Sequence, residues 1–339
     1  RQRVVARGTW GLAISDDGGA TWRWSCAAAM GIDPTREDPA LLVAPDGAIL
    51  LGAFHGVVRG DPEGCAFGVL PETEGEYIID LATDPLERPY AILTSGIDPD
   101  RLLRSDDRGA SFAQVGEPIA DILLERVVPA PSDATRVYMS GAVPRGADGL
   151  RHGYFLRSID GAASFVAIEI PLEGEERNVH VLAVDPTDPD RVFARMVRRI
   201  TDAVPERLIL SEDGGDTWRT VMTAHAISSV AITPDGATVY AGSSLNEGVF
   251  RSDTGGRSFA LAQGEITIYC LEIHDGALWA CVDELIDGLS VGRSTDGGAS
   301  FETMLRLSEI RGMLPCSRCT PVGFVCPAWA PDVAFDLRL

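Results

Sequence analysis

One octapeptide recurs along this chain: Ser, any residue, Asp, any, Gly, any, Ser or Thr, then Trp or Phe. It reads SDDGGATW from Ser15 to Trp22, SDDRGASF from Ser105 to Phe112, SEDGGDTW from Ser211 to Trp218 and STDGGASF from Ser294 to Phe301. Two copies depart at one position. SIDGAASF, from Ser158, has Ala162 in place of the Gly, and SDTGGRSF, from Ser252, has Thr254 in place of the Asp. A seventh, decayed copy begins at Gly60, where GVVRGDPEGCAFG aligns without a gap with GVFRSDTGGRSFA from Gly248. The seven copies are spaced by roughly 41 to 53 residues, the period of a repeat architecture.

Each copy reads as a hairpin turn. Short apolar runs precede it (GLAIS, RLLRS, RLILS) and strand-like runs follow it (TWRWS, SFVAI, TWRTV). Asp17, Asp107, Asp160, Asp213 and Asp296 are placed to accept hydrogen bonds from turn amides, with Gly supplying a positive φ. The closing aromatics, Trp22 and Trp218 among them, are expected to plug the space between sheets. A second motif precedes each box: an apolar strand, a Pro/Asp turn and another strand, as in LAVDPTDPDRVFAR from Leu182. Each unit then holds four strands, A to D, the signature of a propeller blade.

The expected fold is all-β: a single seven-bladed β-propeller over residues 1–339, its ring closed by N- and C-terminal strands. Only strands B and C fit before the first box, so the tail around Ile310 to Leu314 is expected to supply strand A of blade one. Residues 315–339 form a Cys-containing closing segment.

The repeat resembles the Asp-box (BNR) repeat superfamily over nearly the whole chain. That superfamily includes bacterial sialidases, xyloglucan-degrading hydrolases, the luminal domains of sortilin-type receptors and a photosystem II assembly factor. The resemblance is diagnostic of fold far more than of function. The sialidase Arg-Ile-Pro motif is missing, the corresponding stretch being ARGTWGLAIS. The double propeller of the xyloglucan hydrolases and the ten blades of sortilin-type receptors need longer chains. The assembly factor matches best in size and blade count, and implies a non-catalytic binding platform.

Charge narrows the partners. The chain has 50 acidic residues against 29 basic ones, all Arg, for a formal charge of −21. That field opposes nucleic acid and anionic membrane surfaces. No apolar run is long enough for a transmembrane segment. No phosphate loop, nucleophile elbow or zinc-type spacing is present, so neither cofactor nor metal is expected. The first residue is Arg1 and no leader is visible. The expectation is an exported protein, periplasmic, cell-surface or secreted, with its leader removed.

Aligning the A strands nominates Asp80, Glu125, Arg126, His180, Ser229, Tyr269 and Arg311 for the mouth of the central channel. Glu125 and Arg126 are adjacent, so one should face away from the other. Two long B–C loops bring a second set: Arg145, Arg151, His152, Arg195, Arg198 and Arg199. Such a basic cluster would attract a carboxylate, a sulfated glycan or an acidic partner, or it is a set of solvated, ion-paired loop residues.

Seven cysteines leave at least one unpaired. Cys270 and Cys281 flank an Asp275-Gly276 turn and would lie opposite each other, as a bridge or as two buried thiols. Cys316, Cys319 and Cys326 crowd the tail, and Cys26 is a candidate partner for one of them. The CSRC sequence alone is also compatible with redox chemistry or half a metal site.

The leading functional expectation is a non-catalytic exported scaffold that binds a protein partner or glycan through its face loops, alone or as a subunit of a larger assembly. The alternative is a sialidase-like glycoside hydrolase with a divergent site, which needs two carboxylates roughly 5–10 Å apart. A third expectation is an assembly in which one thiol bonds another chain.

Overall fold

The computed structural model describes residues 3–95, 97–201 and 203–336, with side chains through residue 330. Seven antiparallel sheets follow one another along the sequence. Blade one has three strands, β1 (Val4–Gly8), β2 (Gly11–Ser15) and β3 (Arg23–Cys26). Blade two has β4 (Ala40–Val43), β5 (Ile49–Ala53), β6 (Gly56–Gly60) and β7 (Phe67–Val69). Blade three has β8 (Tyr77–Thr83), β9 (Pro89–Thr94), β10 (Arg101–Arg104) and β11 (Ala113–Gln114). Blade four has β12 (Leu123–Ala130), β13 (Asp133–Val143), β14 (His152–Ser158) and β15 (Val166–Ile170). Blade five has β16 (Asn178–Val184), β17 (Val192–Val197), β18 (Glu206–Ser211) and β19 (Arg219–Ala224). Blade six has β20 (Ile227–Ile232), β21 (Val239–Ser243), β22 (Gly248–Ser252) and β23 (Ala260–Gln263). Blade seven has β24 (Ile268–His274), β25 (Ala277–Val282), β26 (Val291–Ser294) and β27 (Glu302–Leu305). This is a seven-bladed β-propeller.

The octapeptides are the third hairpin of each blade. In the first, Ser15 Oγ donates to Asp17 Oδ1 at 2.8 Å and accepts from Gly19 N at 2.8 Å. Asp17 also accepts from Thr21 N (2.8 Å) and Thr21 Oγ1 (2.7 Å). The carboxylate and the Ser hydroxyl thus tie the turn together, and the same bonds recur at Asp107, Asp160, Asp213 and Asp296. In the sixth box Thr254 Oγ1 takes the place of the carboxylate, accepting from Ser258 N at 3.1 Å. In the decayed box the acid has moved one residue, and Asp61 Oδ1 accepts from Cys65 N at 2.7 Å. The Gly position needs a left-handed backbone, with φ 91° at Gly19, and Ala162 adopts φ 72° there.

The box aromatics join blade to blade. Trp22 is buried between blades one and seven, and its Nε1 donates to Gly19 O and, at 2.8 Å, to Met304 O. Trp218 meets Phe155 of blade four edge-on, with centroids 5.1 Å apart. Seven apolar clusters fill the spaces between neighbouring sheets.

The ring closes differently from the sequence expectation. The segment around Met313 adds to the outer edge of blade one, through a parallel bridge between Met313 and Trp24. Arg311 N donates to Trp22 O, Trp24 N to Gly312 O and Leu314 N to Trp24 O. The tail is therefore an outer addition to β3, not strand A. Beyond α1 (Glu284–Asp287), the chain ends its described part in α2 (Pro321–Asp336), which packs on β3 and the turn after it.

Two disulfides pin this tail, Cys26–Cys326 and Cys65–Cys316. The second enlists Cys65, which lies in the decayed box and was not among the sequence candidates. Cys270–Cys281 spans β24 and β25, and Cys319 is exposed and unpaired.

Candidate functional site

Strand A of six blades, β4, β8, β12, β16, β20 and β24, lines the central channel. A cavity of about 340 Å³ lies in it, walled by Asp80, Arg126, Ser228, Ser229 and Leu271 among others. The inner strands carry bulges at their upper ends: Ile78/Asp80, Leu124/Arg126, Ile227/Ser229 and Ile268/Cys270. A bulge adds one residue and breaks the two-residue alternation. In β12 the adjacent Glu125 and Arg126 diverge, as neighbouring strand residues are expected to. Glu125 reaches towards blade five and Arg126 towards blade three.

These side chains form two closed groups. Asp80, buried, accepts from Val127 N at 2.9 Å and from Arg126 Nη1 at 3.3 Å. Burial pushes its carboxyl up, against the pull of Arg126 and those donors. The second group centres on His180. Its Nε2 is hydrogen-bonded to Glu125 Oε2, and Arg195 Nη2 lies 3.3 Å from its Nδ1. Guanidinium only donates, so Nδ1 accepts and Nε2–H donates to the carboxylate, which is the neutral tautomer. Burial pulls His180 down, and Glu125 only partly offsets it. Burial pushes Glu125 up, but hydrogen bonds from His180 and Asn178, with the charge of Arg126, outweigh it and the net shift is down.

Glu206 completes this group and was not singled out from the sequence. It is buried, lies 3.6 Å from Arg195, and accepts from Arg198 N (3.0 Å) and Ile227 N (2.8 Å). Asp100 occupies the same place in blade three, accepting from Leu124 N at 2.7 Å. Both acids stand five residues before the box Ser and satisfy an amide of the next inner strand. The sequence signal was there: Asp-Arg-Leu-Leu-Arg-Ser and Glu-Arg-Leu-Ile-Leu-Ser.

The remaining candidates do not converge. Arg311 lies on the tail at the outer rim, far from its expected place at the channel mouth, because its segment pairs with β3. Tyr269 is exposed, and its hydroxyl donates to Asp283 Oδ2 at 2.8 Å, the residue that caps α1. The basic loop cluster dissolves into separate pairs. Arg198 is committed to Glu176 (3.5 Å) and Glu173 O, while His152 bridges Glu169 and Asp148. Arg145 and Arg151 are exposed. Among the described residues no group of three or more His, Cys, Asp or Glu could hold a metal ion.

What the upper face does offer is apolar. The rings of Phe54 and Tyr77 lie 5.3 Å apart and are 47% and 50% exposed. Ile79 and Leu123 are also exposed, Tyr77 and Leu123 beginning adjacent inner strands.

Box geometry repeated over seven four-stranded units, one of them lacking a strand, settles the class. The chain is a seven-bladed β-propeller. The family described as Sortilin, neurotensin receptor 3 matches residues 100–254, less than half of the sequence. No curated protein matches. Among solved structures, this propeller is similar to an ancestral GH74 enzyme at 13% identity and TM-score 0.58. That match covers 90% of this chain and 53% of the enzyme, so the chain spans about half the enzyme's length. A functionally unknown protein from Desulfotomaculum acetoxidans aligns at 11% identity and TM-score 0.55, over 88% of this chain and 94% of that one. YCF48 from Cyanidioschyzon merolae aligns at 14% identity and TM-score 0.47, over 79% and 85%. These likenesses are of fold. No helix of the described residues is long and apolar enough to cross a membrane.

Proposed function

We propose that this propeller is an exported, non-catalytic interaction protein that holds a segment of a protein partner at the mouth of its channel. The observation that carries the reading is the state of His180. Both ring nitrogens are engaged, one by Glu125 and one by Arg195, so no lone pair is free to take a proton from a substrate. Asp80 is likewise bound to Arg126 and Val127. Charges arranged in closed pairs stiffen a wall more readily than they drive chemistry. Beside them, Phe54, Tyr77, Ile79 and Leu123 offer the apolar, aromatic surface of a protein-binding patch. The aliphatic pair favours a polypeptide over a glycan, since it offers nothing to sugar hydroxyls. Three disulfides support an oxidising, exported setting.

Glycoside hydrolysis is the competing reading, favoured by two carboxylates, Asp80 and Glu125, on the inner strands β8 and β12. The test is an assay of aryl glycosides and xyloglucan oligosaccharides with the intact protein and with Glu125→Gln. The proposal expects no turnover from either. Hydrolysis by the wild type that Glu125→Gln abolishes would overturn it.

A further inference from the structure

The turn that joins β1 to β2 is built on glycine, and a pocket opens beside it. Gly11 holds φ 135°, and a Cβ there would collide with Ser25 O, so no side chain fits. Gly8 precedes the same turn, and Ala27, just after β3, adds a single methyl. With so little side chain at these three positions, a cavity of about 300 Å³ remains between blades one and two. Leu12, Met30, Ile32 and Leu51 form its floor and are all buried. Thr9, Pro34 and Asp38 form its rim and are all exposed. The volume sits at the lower end of the roughly 300–1,000 Å³ of ligand sites, room for one large side chain.

The charges around this pocket are already matched. Arg7 of β1 pairs with Asp38 at the rim. Glu37 accepts from Asp33 N at 3.0 Å with one oxygen and from Phe54 N at 2.8 Å with the other. A charged occupant would have to break the Arg7–Asp38 pair or go unpaired, whereas an apolar one leaves water for an apolar floor. Glu37 also joins the pocket to the rest of the upper face. Its bond to Phe54 N puts the exposed Phe54 ring, with Tyr77 against it, beside the rim. The loop over the pocket is braced by its own hydrogen bonds: Ile32 N donates to Ala27 O, Glu37 N to Asp33 O and Thr35 N to Asp33 Oδ1. A preformed pocket at the edge of an apolar patch is where one anchoring side chain contributes most to binding.

We propose that this pocket takes one bulky, uncharged apolar side chain, of the leucine or phenylalanine kind, from the partner segment and thereby selects the partner. The inference rests on the proposed function and names the residue type that reading leaves open.

The experiment is an NMR titration of the full, oxidised chain, labelled at its methionine methyl groups and read at Met30. The probes are the N-acetyl amides of leucine, phenylalanine, alanine and lysine. Expected is a Met30 methyl signal that moves and saturates at millimolar leucine or phenylalanine amide. The alanine and lysine amides should bind at least about tenfold more weakly. Thr9→Trp, which narrows the rim, and Ala27→Leu, which fills the interior, should each weaken the leucine amide by a similar factor. Thr9 is exposed, so its variant stays informative even where Ala27→Leu does not fold. A Met30 methyl that no amide moves, or that the alanine and lysine amides move equally well, would overturn the proposal. So would a leucine-amide shift that survives unchanged in folded Thr9→Trp. The titration needs no partner, so its failure is separate from failure of the proposed function. Native mass then reads the pocket in use. Thr9→Trp should lose the complex that the wild type forms, and a complex it retains would overturn the anchoring role.

Discussion

Cys26–Cys326 and Cys65–Cys316 are nested, and this makes their contributions to stability unequal to the sum of their parts. Cys26–Cys326 links positions 300 residues apart and Cys65–Cys316 positions 251 apart. With one bridge in place, the other closes a loop of only about 50 residues, running from 26 to 65 and from 316 to 326. Chain-entropy arithmetic gives about 4 kcal/mol for that small loop and about 5.5 kcal/mol for either large one. Replacing both cysteines of one pair by Ala should then cost about 4 kcal/mol whichever pair is chosen. Replacing all four should cost about 10 kcal/mol, more than twice the single loss. Urea unfolding of the oxidised proteins reads this directly. With a slope of about 3 kcal/mol/M, one lost bridge lowers the midpoint by roughly 1.3 M. Strictly additive losses, or a quadruple variant no worse than either pair, would refute the nested-loop reasoning.

Further outcomes follow from single groups. Trp22→Ala should destabilise by about 3–5 kcal/mol in the same assay, since it empties the space between blades one and seven. Asp80→Ala strands the amide of Val127 and should cost about 1–3 kcal/mol, whereas Asp80→Asn, which keeps an acceptor, should cost less. Turn hydrogen bonds hold the carboxyls of Asp17, Asp160 and Asp296 at about 2, below the ordinary 3.8. Their stabilisation is complete above the unfolded value and is lost as pH falls from about 4 through about 2, which carboxyl NMR titration would show as midpoints near 2. Exposed Cys319 should be the one thiol of the native oxidised chain that reacts with a thiol reagent.

The architecture was legible because each blade carries a local, self-sufficient signal. A box Asp that takes three hydrogen bonds from two residues of its own turn needs no distant residue, so seven copies could be counted directly. The site was less legible, since it depends on features that leave no periodic trace. The β12 bulge between Leu124 and Arg126 has no marker in the residue pattern. The loop arginines looked like a patch only because their partners, Glu176 and Glu206, lie elsewhere in the sequence. The tail misled for a related reason. Residues around Met313 have strand character, but character does not say which edge of a sheet a strand joins. Cys65 was hidden by the decay of the box around it.

The most direct test of the binding account is native mass in gently lysed source cells, comparing the wild type with a Phe54→Glu/Tyr77→Glu double variant. The account predicts that the wild type runs in a complex well above its own 36.2 kDa. The folded double variant should run alone. A wild type that runs alone, or a complex that the double variant retains, would contradict the placement of the partner at the channel mouth.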